Sequence, residues 1–319
     1  MIEERPLGGS GLTTSPLALG GNVFGWTIDI EQGCEILDAF IDGGGKLIDT
    51  ADIYSAWKPG NKGGESEAVI GEWLSRSGRR DNVLIATKVG MLDGPGGKGL
   101  QPTRIASAID ESLKRLRTDV VDIYFAHLDD TETPLEESLA ALDALVRAGK
   151  VRALGASNFT AERLALALRI SDANGWTRFT VLQPYYNLLE RVRFEGPLQS
   201  LCVAENIGVL PYYGLASGYL TGKYRSAADF SKSPRGGRMG DYLDGRGPSV
   251  LAVMDEIASE TGASLAAIAL AWLVAQPSIS APIASATSRA QLGELLQGMS
   301  LDLLGEQRAR LDAVSKPAG

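Results

Sequence analysis

The feature that most constrains this chain is an alternation. Short runs of β-branched and aliphatic residues recur along its 319 residues, each followed by a longer stretch with apolar residues at helical spacing. The runs lie near 16–21 (PLALGG), 46–50 (KLIDT), 83–88 (VLIATK), 121–127 (VDIYFAH), 151–157 (VRALGAS), 179–184 (FTVLQP), 207–212 (IGVLPY) and 278–284 (SISAPIA). Near-continuous apolar runs of this length are what strands buried on both faces require, as in parallel sheets. Helical spacing occupies 31–42, 64–76, 102–116, 134–147, 160–172, 196–206, 248–262 and 288–297. The stretch at 134–147 shows how such a helix is bounded. Thr133, Pro134, Glu136 and Glu137 suit its start, with acid near the positive dipole end, and Gly149 suits a left-handed stop.

Eight strand–helix pairs in a chain of this length predict a closed (β/α)8 barrel, a single domain over 1–319. The competing architecture is a doubly wound sheet, which usually carries a GxGxxG turn after its first strand; none stands there. SLAAIALAWLVAQ, from Ser264, adds an apolar helix before the last strand, and a final helix near 302–315 is expected to close one end of the barrel. The connection at 213–247, with SKSPRGGRMGDYLDGRG, is long after strand seven. A loop of that length is either a lid or a mobile insertion.

Charge and ligand chemistry narrow the function. A formal net charge of −8 disfavours nucleic acid, whose phosphates need a face rich in Lys and Arg. Cys34 and Cys202 show neither CxxC nor metal-ligand spacing, and one histidine leaves too few ligands for a hydrolytic zinc site. The opening MIEERPLGG resembles no signal or transit peptide, and no apolar run approaches the roughly 18 residues of a spanning helix. A soluble, cytoplasmic protein with a small-molecule partner, and no nucleic-acid or membrane partner, is expected. Its oligomeric state is not legible. GGGK at 43–46 fails as a phosphate loop, because Phe40 and Leu47 stand where glycine and Ser/Thr are needed; a helix end and turn fits better. DGPGGKG at 93–99 reads as a flexible loop at the barrel mouth.

In a (β/α)8 barrel the site is built at the C-terminal ends of the strands. Those ends here carry Asp49, Lys88, His127, Ser157, Asn158, Gln183 and Tyr212. Singly, each has an ordinary explanation: a turn acid, a lysine reaching water, a core histidine, an N-cap at Ser157-Asn158, a space-filling tyrosine. Jointly they are harder to dismiss, since closure would bring Asp49, Lys88 and His127 into one mouth with Tyr54 five residues beyond the acid. An ammonium beside Tyr54 is expected to draw the phenol below about 10, and a histidine can donate to a carbonyl. Such a set suits proton delivery to an oxygen becoming an alkoxide. Two facing carboxylates, Asp49 and Asp129, could serve a glycoside hydrolase, but Lys88 and the tyrosines would then lack a role.

LIDTADIY, TK at 87–88 and YFAHLDD resemble the aldo-keto reductase family, with Asp49, Tyr54, Lys88 and His127 at its tetrad positions. RPLGGSGLTTSPLALGGNVFGW, GKVRALGASNF, LQPYYNLLER and GLASGYLTGKY extend the resemblance over nearly the whole chain. It implies reduction of carbonyls, or oxidation of alcohols, with NADP(H) preferred and NAD(H) admitted. Gly20, Gly21 and Asn22 are then expected on the nicotinamide side, where Ser157, Asn158 and Gln183 bond its carboxamide and Tyr212 stacks on its ring. Leu215, Ser217, Gly218, Leu220 and Lys223 match the segment over the pyrophosphate. Ser285, Thr287, Arg289, Gln291 and Glu294 match the adenosine end, with Arg289 suited to a 2′-phosphate. That last motif departs from the family form: Ala284-Ser285 replaces a Pro-Gly pair, and Leu295 an asparagine. Trp26, Tyr54, Trp57, His127, Leu128 and Tyr213 are expected at the substrate, although Trp57 and Tyr213 equally suit packing at the rim. The resemblance also admits a nucleotide-binding regulatory or scaffold subunit with little turnover.

Overall fold

The computed structural model describes residues 2–232 and 236–317, so part of the long connection at 213–247 lies outside the described residues. A short antiparallel hairpin, β1 (Arg5–Pro6) and β2 (Thr13–Thr14), leads into a parallel sheet. The sheet holds β3 (Ala18–Gly20), β4 (Leu47–Asp49), β5 (Leu84–Val89), β6 (Val121–Ala126), β7 (Val151–Ser157), β8 (Phe179–Gln183), β9 (Gly208–Val209) and β10 (Ile283–Ala284). Around it run α1 (Ile30–Asp42), α2 (Glu65–Ser77), α3 (Pro102–Leu116), α4 (Leu135–Arg147), α5 (Ala161–Asn174), α6 (Pro197–Ala204), α7 (Gly240–Asp244), α8 (Gly247–Thr261), α9 (Leu265–Val274), α10 (Arg289–Gln297) and α11 (Gly305–Val314).

The eight parallel strands follow sequence order, with β10 returning beside β3. The remaining seam closes through Val209, whose N–H donates to the Ser278 carbonyl at 2.9 Å, and through Ile283, whose N–H donates to the Pro211 carbonyl at 2.8 Å. The result is a (β/α)8 barrel rather than a doubly wound sheet. At the seam the ladders are shorter than the apolar runs at 207–212 and 278–284 predict. Pro211 and Pro282 interrupt those runs, and proline brings no N–H to a ladder.

Two apolar layers separate by strand parity. Ala18, Leu47, Leu84, Ala86, Ile123, Phe125, Ala153, Val181, Leu210, Ala281 and Ile283 fill the barrel interior, whereas Leu19, Ile48, Ile85, Tyr124, Leu154 and Leu182 face the helices. Gly155 is small for a reason: a Cβ there would stand 2.2 Å from the Phe125 ring that fills the lumen.

The bottom of the barrel is closed by the hairpin, not by the final helix. Leu7 and Leu12 join the interior cluster, the Gly9 N–H donates to Asn206, and the Ser280 hydroxyl donates to the Pro6 carbonyl. α11 instead lies along the flank beside α8 and α9, where Trp272 Nε1 donates to Asp312 at 2.9 Å and Arg310 pairs with Glu260. Its polar length suits a helix half in water, which explains why it does not plug an apolar lumen. The GGGK stretch ends α1 and turns into β4, with the Gly43 N–H on the Ala39 carbonyl and that of Gly45 on Phe40. Among the described residues no single helix is long and apolar enough to cross a membrane.

Candidate active site

The parity that builds the core also builds the mouth. Side chains two residues apart share a sheet face, so on most strands the residue two beyond the last interior apolar one caps the lumen. Leu47 leads to Asp49, Ala86 to Lys88, Phe125 to His127, Val181 to Gln183, Leu210 to Tyr212, Ile283 to Ser285 and Ala18 to Gly20. Polar residues at these positions are too costly for a dry core but suit its open end.

Lys88 organises the centre. Its Nζ donates to Asp49 Oδ2 at 2.7 Å, to the Thr50 carbonyl at 2.7 Å and to Tyr54 Oη at 2.9 Å. The Tyr54 hydroxyl reaches Asp49 Oδ2 at 3.3 Å, and Gln183 Nε2 donates to Asp49 Oδ1 at 2.7 Å. Lys88 and Asp49 are both buried, so desolvation opposes the pair and the surrounding hydrogen bonds must offset it. The His127 ring lies 6.0 Å from that of Tyr54, centroid to centroid, and its buried Nδ1 has no protein partner among the described residues.

The electrostatics reverse one expectation. Burial, followed by the neighbouring Asp49, pushes the Tyr54 phenol well above its usual 10 rather than below it. Burial also lowers Lys88, against the pull of Asp49. Desolvation of the phenolate outweighs the nearby ammonium here. His127 is held well below 6.5 by burial and then by the Lys88 charge, so its imidazole is neutral at pH 7. A protonated phenol, a neutral imidazole and an ammonium–carboxylate pair thus line one pocket mouth, an arrangement that can hand a proton to an oxygen gaining charge.

The strand-end amides interlock beside this centre. Ser157 Oγ donates to the Gln183 carbonyl, Asn158 Nδ2 to the His127 carbonyl at 2.9 Å, and the Tyr212 hydroxyl to Asn158 Oδ1 at 2.6 Å. Asn158 holds a left-handed φ of 62°, and Ser157-Asn158 does not cap α5; Thr160 does, accepting from the Arg163 N–H. Tyr212 stacks on Tyr185 at 5.5 Å with its ring part exposed. Tyr185 was not singled out from the sequence, although its place two beyond Gln183 gave a parity signal. Across the mouth, Ser285 donates to Asn22 Oδ1 at 2.6 Å, and a Cβ on Gly20 would meet Ser285 Oγ at 2.5 Å. Gly21 is equally close-packed, with its carbonyl taken by Ser66.

Leu215 precedes the 3-10 segment Ala216–Thr221, in which Ser217 (φ 57°) and Gly218 (φ 97°) are left-handed and the Lys223 ammonium lies near Gly218. Leu220 lies in the same segment, with its side chain in the core and its N–H on the Leu215 carbonyl. Thr287 donates to Gln291 Oε1, while Arg289, Gln291 and Glu294 are exposed in the first turns of α10 behind the Ser288 N-cap. Leu295, in place of the asparagine, is buried. Trp26 and Trp57 meet edge to face at 5.6 Å, and Trp57 approaches Tyr54 at 6.0 Å. Tyr213 packs on Tyr185 and Tyr212 with its edge exposed, and Leu128 lies by Gly90. Asp129 pairs with Arg163, and Asp130 ties the Leu100 N–H and Thr133; both serve the loop after β6.

A barrel with this mouth falls in the class of barrel oxidoreductases. The aldo/keto reductase family model matches residues 16–316, and the chain belongs to that family. It is 33% identical to an uncharacterized oxidoreductase, YrpG, of Bacillus subtilis, over 95% of this chain and 92% of the relative. It is 31% identical to the norsolorinic acid reductase stcV of Emericella nidulans, over 93% of this chain and 77% of the relative. It is 32% identical to a probable voltage-gated potassium channel subunit beta of Arabidopsis thaliana, over 94% and 92%. The family reduces carbonyls of small molecules and generally uses nicotinamide cofactors. The mouth fits such a group: amide-bonding side chains at neighbouring strand ends adjoin a part-exposed tyrosine ring backed by a second ring on one face.

Proposed function

We propose that the protein is an NADP(H)-dependent reductase of aldehydes, ketones or sugar carbonyls, able to run in reverse, with Tyr54 as its proton donor. The observation that carries this reading is the 2.9 Å contact between the Lys88 ammonium and a phenol that stays protonated at neutral pH. Reduced nicotinamide, when bound, supplies a hydride to the carbonyl carbon. Ser157, Asn158 and Gln183 would hold its carboxamide, and Tyr212 its ring face, with Tyr185 behind. Gly20, Gly21, Asn22 and Ser285 border the same side. Arg289, at the exposed start of α10, supports the NADP(H) preference, because guanidinium and a helix N-terminus both favour phosphate.

The chain's own part is positional and protonic. Tyr54 gives its hydroxyl proton to the substrate oxygen as that oxygen becomes an alkoxide. Lys88, held by Asp49 and the Thr50 carbonyl, offsets the charge left on the phenol. The neutral His127 donates a hydrogen bond that orients the carbonyl. Trp26, Trp57, Leu128 and Tyr213 would supply an apolar wall that suits the carbon skeleton beside it.

A second reading is a nucleotide-binding regulatory subunit, favoured by the relatives named as potassium channel subunits. Purified protein assayed with NADPH and with NADH against aldehydes, ketones and sugars separates the two. Consumption of NADPH with at least one carbonyl, faster than of NADH, is expected. Tight NADPH binding without turnover on any of them would favour the regulatory reading.

A further inference from the structure

Behind the proposed tetrad, between the sheet and helices α2 and α3, lies a second set of buried charges that the reduction chemistry does not use. Asp52, Glu67 and Arg104 are all fully buried. Arg104 Nη2 donates to Asp52 Oδ2 at 3.3 Å, and its Nη1 to Glu111 at 3.1 Å. Arg115 Nε donates to Glu67 Oε2 at 2.7 Å, and the Thr87 hydroxyl to Glu67 Oε1 at 2.6 Å. Thr87 and Tyr124 reach this layer because their parity turns them out of the barrel. Three carboxylates face two guanidinium groups, so the layer is negative when all are ionised. Among the described residues, Asp52 Oδ1 and Tyr124 Oη are buried without a protein partner, a cost a purely structural pair would be expected to avoid.

The layer touches the catalytic centre through the backbone. The Asp52 N–H donates to the Lys88 carbonyl at 3.3 Å. Asp52 also sits in the loop between Asp49 and Tyr54, where the Thr50 carbonyl accepts from Lys88 Nζ. Among the charges that bear on Lys88, Asp52 and Glu67 come after Asp49, and all three favour the ammonium. A buried ion pair is weak as a source of stability compared with apolar packing, so its placement here matters more than its energy.

We infer that Asp52 is a positioning residue: clamped by Arg104, it fixes the loop that presents Tyr54 and, with Glu67, supplies from behind the sheet a negative field that keeps Lys88 charged. The inference rests on the proposed reduction chemistry. Burial, then Glu67, pushes the Asp52 carboxyl up to about 7 against Arg104 and Arg115, so at alkaline pH it carries its charge. The groups that bear on it are Glu67 from α2, Arg104 and Arg115 from α3, Lys88 from β5 and Tyr124 from β6, while Glu111 of α3 pairs with Arg104.

The test is the pH dependence of carbonyl reduction by Asp52→Asn. NADPH affinity and carbonyl KM are expected within about twofold of wild type and kcat about tenfold lower, since a displaced donor loses rate rather than binding. The alkaline limb of kcat is expected to move down by about half a pH unit, because Lys88 loses a negative neighbour. Wild-type kcat with an unmoved limb in folded D52N, whatever its melting temperature, overturns the inference. Should D52N not fold, D52N/R104Q leaves neither member of the pair as an unpaired buried charge and carries the same readout. E67Q must move the limb in the same direction, and an unmoved limb there counts against the field. Turnover surviving in Tyr54→Phe would sink the underlying reading, whereas an inactive Y54F beside a wild-type-like D52N sinks only this inference.

Discussion

The Lys88 ammonium donates to the Tyr54 hydroxyl at 2.9 Å while burial drives the two groups' proton affinities apart, the phenol upward and the amine downward. The pair therefore keeps a proton on the phenol, and the ammonium becomes most valuable when that proton leaves. On the proposed mechanism, donor strength is created in the transition state rather than stored in the resting enzyme.

Lys88→Met removes that late stabilisation and leaves Asp49 buried with fewer donors. We expect kcat to fall by roughly two orders of magnitude or more. Stability should fall by about 3–5 kcal/mol, the cost of breaking a buried pair from one side. Steady-state kinetics and urea denaturation read the two effects separately. A variant as stable as wild type would contradict the buried-pair account.

The single histidine gives an unusually clean observable, because every imidazole signal belongs to His127. Burial and Lys88 hold it well below 6.5. Proton or nitrogen NMR should show a neutral ring with no titration between about pH 5.5 and 8. A midpoint near 6.5 would show that the ring is more solvated than the structure has it.

Much of this site was legible because strand parity is a local property. Once the run VDIYFAH is taken as a buried strand, Phe125 and His127 must share a face, and the same holds for Leu47 with Asp49 and Ala86 with Lys88. The closed fold was legible for the same reason, apart from strand ends cut short by Pro211 and Pro282. Long-range pairings left no such trace. Arg104 finds Asp52 from 52 residues away, and nothing near either residue announces the other. Desolvation is equally invisible locally, so the direction of the Tyr54 shift is not legible in the sequence. The hairpin that plugs the barrel has too few residues per strand to show an alternation, which left the last helix as the more visible candidate.

Asp52 also links stability to pH. Its carboxyl is raised from 3.8 to about 7. Because the folded state holds this proton more tightly than the unfolded chain, the group's contribution is full below about pH 4 and lost as pH rises through 7. At most it is on the order of 4 kcal/mol, less for its coupling to Arg104 and Glu67. Urea denaturation of wild type and Asp52→Asn at about pH 4, 5.5 and 8 isolates it. The wild-type advantage should shrink as pH rises through that window, and a difference independent of pH would contradict the shift.

If the Tyr54 hydroxyl delivers the proton, Tyr54→Phe must all but abolish reduction, because it removes one oxygen and keeps the ring. With a carbonyl that the wild type reduces, NADPH affinity is expected within about twofold and turnover lower by roughly two to four orders of magnitude. Turnover within about tenfold of wild type, at unchanged cofactor affinity, would contradict it.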